Sequence, residues 1–327
     1  MTDRTGYLAC QSLRYAISLF IIVTLVFLIP RMMPGDPFIS LLGEEVYYRS
    51  PELVEGLKAQ YGLDRPIAEQ YLSYLNNLAK GNLGYSFHYS QPVWEVIAYK
   101  MKWTFVLLIP SVILGAIFGI VMGAAAGWWR GSGRDTGITS LFLFIYSLPH
   151  YWLAMLSVLI FAFCLELFPL SGITGGGLAG LAKLRDVLWH MALPVSVLTL
   201  FGAAYNFFIM RSSVVQISGE GFVLTARAKG LRERDVLFKH VLRNAMLPLV
   251  TVIALDFGFM VSGALLVEIV FSWGGMGTLI YDAVFARDYP LLHGSFLVIA
   301  ACVLAANFLA DLLYAVLDPR IRGGVQA

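Results

Sequence analysis

The chain has 327 residues, of which 58% are apolar and only 13% charged, and its mean hydropathy is +0.74. Soluble domains lie nearer half apolar and a quarter charged, so this composition excludes an ordinary soluble enzyme and points to an integral membrane protein. A formal net charge of +2 is too small to suggest a nucleic-acid partner.

Six apolar segments each reach the roughly 20 residues that a bilayer requires: Leu13–Ile29, Trp103–Gly127, Ile138–Phe168, Trp189–Met210, Leu249–Phe271 and Leu292–Leu317. Arg4 and Arg14 ahead of the first give it the look of a signal peptide. No small-x-small cleavage site follows, and Pro30-Arg31-Met32-Met33-Pro34 comes instead, so it reads as an uncleaved span. With the N-terminus inside, 13 Lys/Arg fall on the cytoplasmic side and ten outside, seven of those ten in the long loop after span one that the charge rule discounts. Thirteen against three places both termini in the cytoplasm.

Residues 1–30 therefore read as a cytoplasmic N-terminus with span one, 31–102 as an extracytoplasmic loop, and 103–327 as a core of five spans. In the loop, Pro34-Gly35-Asp36-Pro37 is a turn signal. Leu53, Val54 and Leu57 recur at helical spacing over Pro51–Tyr61, and Gly62 stops that helix. A second helix is expected over Arg65–Ala79. Gly81 and Gly84 break the chain before the membrane.

Span two carries Gly115, Gly119, Gly123 and Gly127, which at 3.6 residues per turn form a nearly straight stripe without side chains. The stripe is expected to pack closely on another helix, and a smooth face also suits sliding during gating. Pro149 and Pro194 interrupt the bonding of spans three and four. The loop Gly172–Gly180 between them reads as flexible.

The segment Phe222–Pro248 stands out. Seven basic residues fall between Arg211 and Arg243, against Glu220, Glu233 and Asp235. It reads as a helix over Phe222–Lys229 closed by Gly230, then a second over Arg232–Ala245, with Pro248 starting span five. A basic helix lying on anionic lipid explains the charge but not the helix–glycine–helix bend. On the cytoplasmic side, within a loop set at 211–248, such an element suits the grip of a soluble partner.

Within the spans, Asp256 lies near mid-membrane, Glu268 near the outer end of span five and Asp311 in span six. An intramembrane carboxylate is a functional candidate by default, so all three are candidates for a translocation path. Interfacial placement of Glu268 and helix bonding by Asp311 are the plainer readings. No Gly-x-x-x-x-Gly-Lys-Ser/Thr string, His-x-x-x-His, Cys-x-x-Cys or nucleophile elbow occurs, and His88, His150, His190, His240 and His293 are scattered as capping or interfacial residues. Cys10, Cys164 and Cys302, odd in number and far apart, give neither a disulfide framework nor metal-ligand spacing and read as apolar fillers.

Thr225-Ala226-Arg227-Ala228-Lys229-Gly230-Leu231, followed by His240, Arg243, Asn244 and Pro248 in an HxLRNAxxP string, resembles the coupling loop of permease subunits in ATP-binding-cassette importers of the peptide/nickel group. Also similar to that group are Pro34-Gly35-Asp36-Pro37, Tyr61-Gly62-Leu63-Asp64-Arg65-Pro66, Gly81-Asn82-Leu83-Gly84, Ser147-Leu148-Pro149, Val267-Glu268 and Arg287-Asp288-Tyr289-Pro290. Asp311-Leu312-Leu313-Tyr314 and Leu317-Asp318-Pro319-Arg320 complete a match along almost the whole chain. Leu224-Thr225-Ala226 stands where the wider family has Glu-Ala-Ala, so no contact of that Glu carries over. Ser272-Trp273-Gly274-Gly275 departs from a more usual proline before the glycine.

The resemblance implies an all-α, type I importer permease with six transmembrane helices, of the first-permease type with its long outer loop. It implies a second permease, two ATPase subunits that bind ATP and magnesium in place of this chain, an outer substrate-binding protein and a surrounding lipid bilayer. Arg227, Lys229, Arg232 and Arg234 are then expected to pair with acidic groups on an ATPase, with Ala226 and Ala228 allowing close approach. The competing reading, a secondary transporter or channel acting alone, calls for internal repeats and charged relays that the sequence lacks.

Overall fold

A computed structural model describes residues 3–32 and 36–317, and the side chains of 3–11, 37, 40, 41, 250, 251, 254–263 and 310–317 lie outside the described residues. In chain order the helices are α1 (Asp3–Arg31), α2 (Pro37–Leu42), α3 (Glu44–Arg49), α4 (Pro51–Gln60), α5 (Ile67–Ala79) and α6 (Val93–Trp128). They continue as α7 (Gly133–Ser147), α8 (His150–Ser157), α9 (Gly180–Ser218), α10 (Gly221–Ala228), α11 (Glu233–Asp235), α12 (Leu242–Val270), α13 (Met276–Ala286) and α14 (Tyr289–Leu317). A two-residue hairpin pairs β1 (Tyr85–Ser86) with β2 (Gln91–Pro92).

Among the described residues four helices are long and apolar enough to cross a membrane, within α1, α6, α9 and α14, and a bent pair taken as one span makes a fifth. Span three is that pair. α7 and α8 meet at 95°, where one span with a tolerated proline was expected. Leu148 adopts an extended ψ of 135°, as the ring of a following proline demands, and Pro149 then caps α8. α8 runs on into seven residues of π-helix, Val158–Cys164. Span five falls on α12, most of whose interior side chains lie outside the described residues.

The described residues form two compact units, 3–32 and 36–103 with 274–304, and 104–273 with 305–317. The core of the first joins Val93, Val96 and Ile97 of α6 to Met276, Leu279 and Ala283 of α13 and to Leu291 and Leu292 of α14. Asp288 secures it, buried and accepting from Ser86 Oγ at 2.6 Å, His88 N at 3.0 Å and Leu291 N at 3.1 Å.

The outer-loop helices follow the sequence closely. Asp36 caps α2 by accepting from Phe38 N at 3.0 Å, with Pro37 at the first helical position, while Pro34 and Gly35 lie outside the described residues. Burial works against the Asp36 charge, but the Lys58 ammonium at 2.6 Å, Phe38 N–H and Tyr47 hydroxyl outweigh it and hold the carboxyl below its ordinary range. Gly62, at φ +67°, ends α4 as expected. α5 begins two residues later than expected because Pro66 occupies its cap.

In the second unit α7, α8 and α12 all pack on α9. The glycine stripe lies against α9 as well. A Cβ on Gly119 would stand 2.5 Å from Asn206 Cβ and 2.8 Å from the Ala203 carbonyl oxygen, and one on Gly123 would stand 2.7 Å from the Phe207 carbonyl oxygen. The Gly172–Gly180 loop, expected to be flexible, is tethered instead. Asp186 accepts from Thr174 Oγ1 at 2.5 Å and Gly175 N at 2.7 Å, and Gly172 N donates to the Phe271 carbonyl at 2.9 Å.

Candidate coupling site

α9 extends to Ser218, so Arg211, taken at sequence level as the start of the loop, sits inside a helix. The loop proper is α10, the turn through Gly230, and α11. α10 ends as Gly230 N donates to the Arg227 carbonyl at 2.9 Å, with Gly230 at φ +77°, a left-handed conformation that favours glycine.

The second helix does not stop at Ala245. α11 passes into a π-helical turn, Val236–Val241, and this runs directly into α12, with Pro248 inside that helix rather than at its start. At the change of pitch Asn244 Nδ2 donates to the His240 carbonyl at 2.7 Å. The loop is thereby joined to span five without a break.

Beneath the loop lies a dry cluster. Val223, Ala226, Val236, Val241, Ala245 and Leu249 are buried with Ala124 of α6 and Met210 and Val214 of α9. Ala226 therefore spends its small side chain on its own core rather than on close approach to a partner, while Ala228 is exposed. Arg227 is already engaged, 5.2 Å over the Trp128 ring and 3.2 Å from Glu233. Arg234 lies 5.8 Å over Phe238. Lys239 bonds Asp235 at 2.8 Å and holds its carboxyl below the ordinary range. Lys229, Arg232 and Arg243 form no ion pair among the described residues. On the same loop Phe222, Leu224 and Phe238 are exposed at 44%, 56% and 58%.

One anchor escaped the sequence reading. Asp135 is buried and takes a two-point contact from Arg211, Nε at 2.7 Å and Nη2 at 2.8 Å, plus Gly131 N at 3.0 Å and Thr139 Oγ1 at 3.1 Å. The local signal was present in Ser132-Gly133-Arg134-Asp135, a helix-start pattern in which Ser132 Oγ accepts from Asp135 N at 3.2 Å. The distant partner was not. Asp135→Ala leaves the half-exposed Arg211 unpaired, an expected loss of about 2–3 kcal/mol. It should lower the thermal unfolding midpoint of the purified protein, and Asp135→Asn should lower it less.

Of the three intramembrane carboxylates, Glu268 is fully buried and accepts from Thr104 Oγ1 at 2.6 Å. The side chains of Asp256 and Asp311 lie outside the described residues. His293, expected at a cap or interface, is buried in the first unit.

A set of long apolar helices carrying an anchored, basic helix–glycine–helix element is the transmembrane subunit of a transporter. The chain belongs to the family of binding-protein-dependent transport system inner membrane components, whose profile matches residues 102–323, and the N-terminal profile of such membrane components matches 5–108. A putative peptide permease protein of Brucella ovis is 39% identical over 307 residues, spanning 93% of this chain and 95% of that protein. The dipeptide transport system permease protein DppB of Escherichia coli K12 is 37% identical over 332 residues, spanning 95% and 97%. In fold the chain resembles the inward-facing MetNI methionine ABC transporter, with a TM-score of 0.56 at 14% identity over 69% of this chain and 97% of that one. It is thus a multi-pass inner-membrane permease of an ABC importer, a family that works with ATPase and substrate-binding partners.

Proposed function

We propose that this permease carries short peptides or related small solutes, nickel and metal chelates included, as the first of two paired permeases. The supporting observation is the loop itself. Val223 and Ala226 fix it to the core, Phe222, Leu224 and Phe238 are exposed, and Lys229 and Arg232 form no ion pair among the described residues. An ATPase subunit with an apolar groove and acidic rim fits that face, and a second ATPase serves the second permease. ATP and magnesium then reside on those partners, and this chain is non-catalytic. Because α11 continues into α12, closure of the ATPases is transmitted to span five directly. α12, 29 residues long, completes six spans with both termini inside, and Asp256 on it is assigned to the translocation path. The peptide class follows the names of the 37–39% identical relatives.

Affinity purification of the tagged chain from its native membrane tests this reading. Two ATPase subunits and a second permease should co-elute. Ion-gradient-driven uptake by the chain reconstituted alone would instead mark a secondary transporter.

A further inference from the structure

The first unit carries an open-mouthed cavity of about 170 Å³ whose lining includes Arg31, Arg65, Gln70, Tyr74, Asn77 and His293 but no acidic side chain. Arg31 is half-buried at its wall. Its Nε and Nη2 donate to Gln70 Oε1 at 3.2 and 3.1 Å, and its Nη1 donates to the Phe27 carbonyl at 2.9 Å and meets His293 Nε2 at 3.1 Å. The guanidinium lies 3.6 Å over the Phe27 ring. These partners are all neutral, and Arg31 has no carboxylate partner among the described residues. Of five guanidinium N–H groups, one on Nη2 is left over.

A cation withdrawn from water is costly unless a counter-charge reaches it. A second group is also unserved. The Tyr74 hydroxyl oxygen is buried without a hydrogen-bond partner. Burial pushes that phenol up to about 12, so it stays a protonated donor at neutral pH. A buried donor left unmade costs about 1–3 kcal/mol. A charge and a donor thus line one cavity, which is of the size that takes a benzene-sized molecule, about 150 Å³.

We propose that this cavity binds a small monocarboxylate, one oxygen accepting from Arg31 Nη2–H and the other from the Tyr74 hydroxyl. One half-buried cation balances one negative charge, which favours a carboxylate over a phosphate dianion. Arg65, exposed at the rim, draws anions toward the mouth. A free small acid and the C-terminus of a short peptide share this chemistry. The inference concerns binding within this unit and stands whether or not the docking assignment holds.

The test is the thermal unfolding midpoint of the full-length permease in lipid nanodiscs, with its co-purifying subunits but without a binding protein. Acetate, Ala-Ala and Ala-Ala amide are titrated at fixed ionic strength against chloride. Either carboxylate should raise the midpoint saturably, and the amide should not. Acetate alone acting assigns the site to free acids, and Ala-Ala acting assigns it to peptide C-termini. Tyr74→Phe, which removes only the unserved hydroxyl, should weaken the apparent affinity about fivefold or more. Arg31→Gln should abolish the effect, and if that variant fails to fold, Tyr74→Phe decides. No carboxylate-specific rise in the wild type, or an unchanged titration in Tyr74→Phe, overturns the proposal.

Discussion

Gly230→Asp is expected to reduce uptake to background and to remove substrate-stimulated ATP hydrolysis, while the amount of chain in the membrane stays at the wild-type level. The two halves of this result have separate causes. Nothing lies within 4 Å of a Cβ at Gly230, so a side chain clashes with no neighbour and the bundle folds. The backbone, however, stands at φ +77°, where an L-residue is strained by about 1–2 kcal/mol. That strain acts on the hydrogen bond from Gly230 N to the Arg227 carbonyl, which closes α10. Asp also places a negative charge in sequence between Lys229 and Arg232, cations that form no ion pair among the described residues. Gly230→Asn carries most of the strain without the charge and should retain intermediate uptake. Wild-type stimulated ATPase activity in Gly230→Asp would refute the docking assignment.

What could be read along the chain was whatever a local pattern controls. Gly62 and Gly230 were visible as helix stops because a left-handed residue follows from nearby bonding alone, and both carry positive φ. The apolar spans were visible because lipid demands length. Pro149 signalled a break but not its size, since the 95° angle depends on where α7 and α8 each find packing on α9. The start of α12 was misplaced because Pro248 reads as a boundary, although a helix already anchored by buried Val236, Val241 and Ala245 runs through it. Pairs set by tertiary structure were invisible. Asp135 and Arg211 are 76 positions apart, and Arg31 and His293 are 262 apart. No periodicity links such residues.

The glycine stripe yields the other large effect, and the expected result is a gradient rather than a single loss. Gly115→Ala should be mild, because its Cβ would meet the Thr199 carbonyl oxygen and the Ala203 nitrogen at 3.3 Å, a few tenths of an ångström too close. Gly119→Ala and Gly123→Ala should be severe. Their Cβ atoms would stand 2.8 Å from the Ala203 carbonyl and 2.7 Å from the Phe207 carbonyl, and a backbone oxygen cannot swing aside as a side chain can. α6 must then move off α9 along its length, at a cost of about 1–3 kcal/mol for overpacking and more where the helices separate. Gly127→Ala, 2.9 Å from the Arg211 carbonyl oxygen, also disturbs the helix turn that presents Arg211 to Asp135. Gly137→Ala in α7 is the control: nothing lies within 4 Å, and the gain in helix propensity of about 0.5–1 kcal/mol should leave the protein unchanged or slightly more stable. Thermal unfolding of the five purified variants orders them. A midpoint for Gly123→Ala equal to that of Gly137→Ala would show that α6 and α9 stand further apart in the membrane than this contact requires. The stripe would then be free to act as the sliding surface that its smoothness also permits.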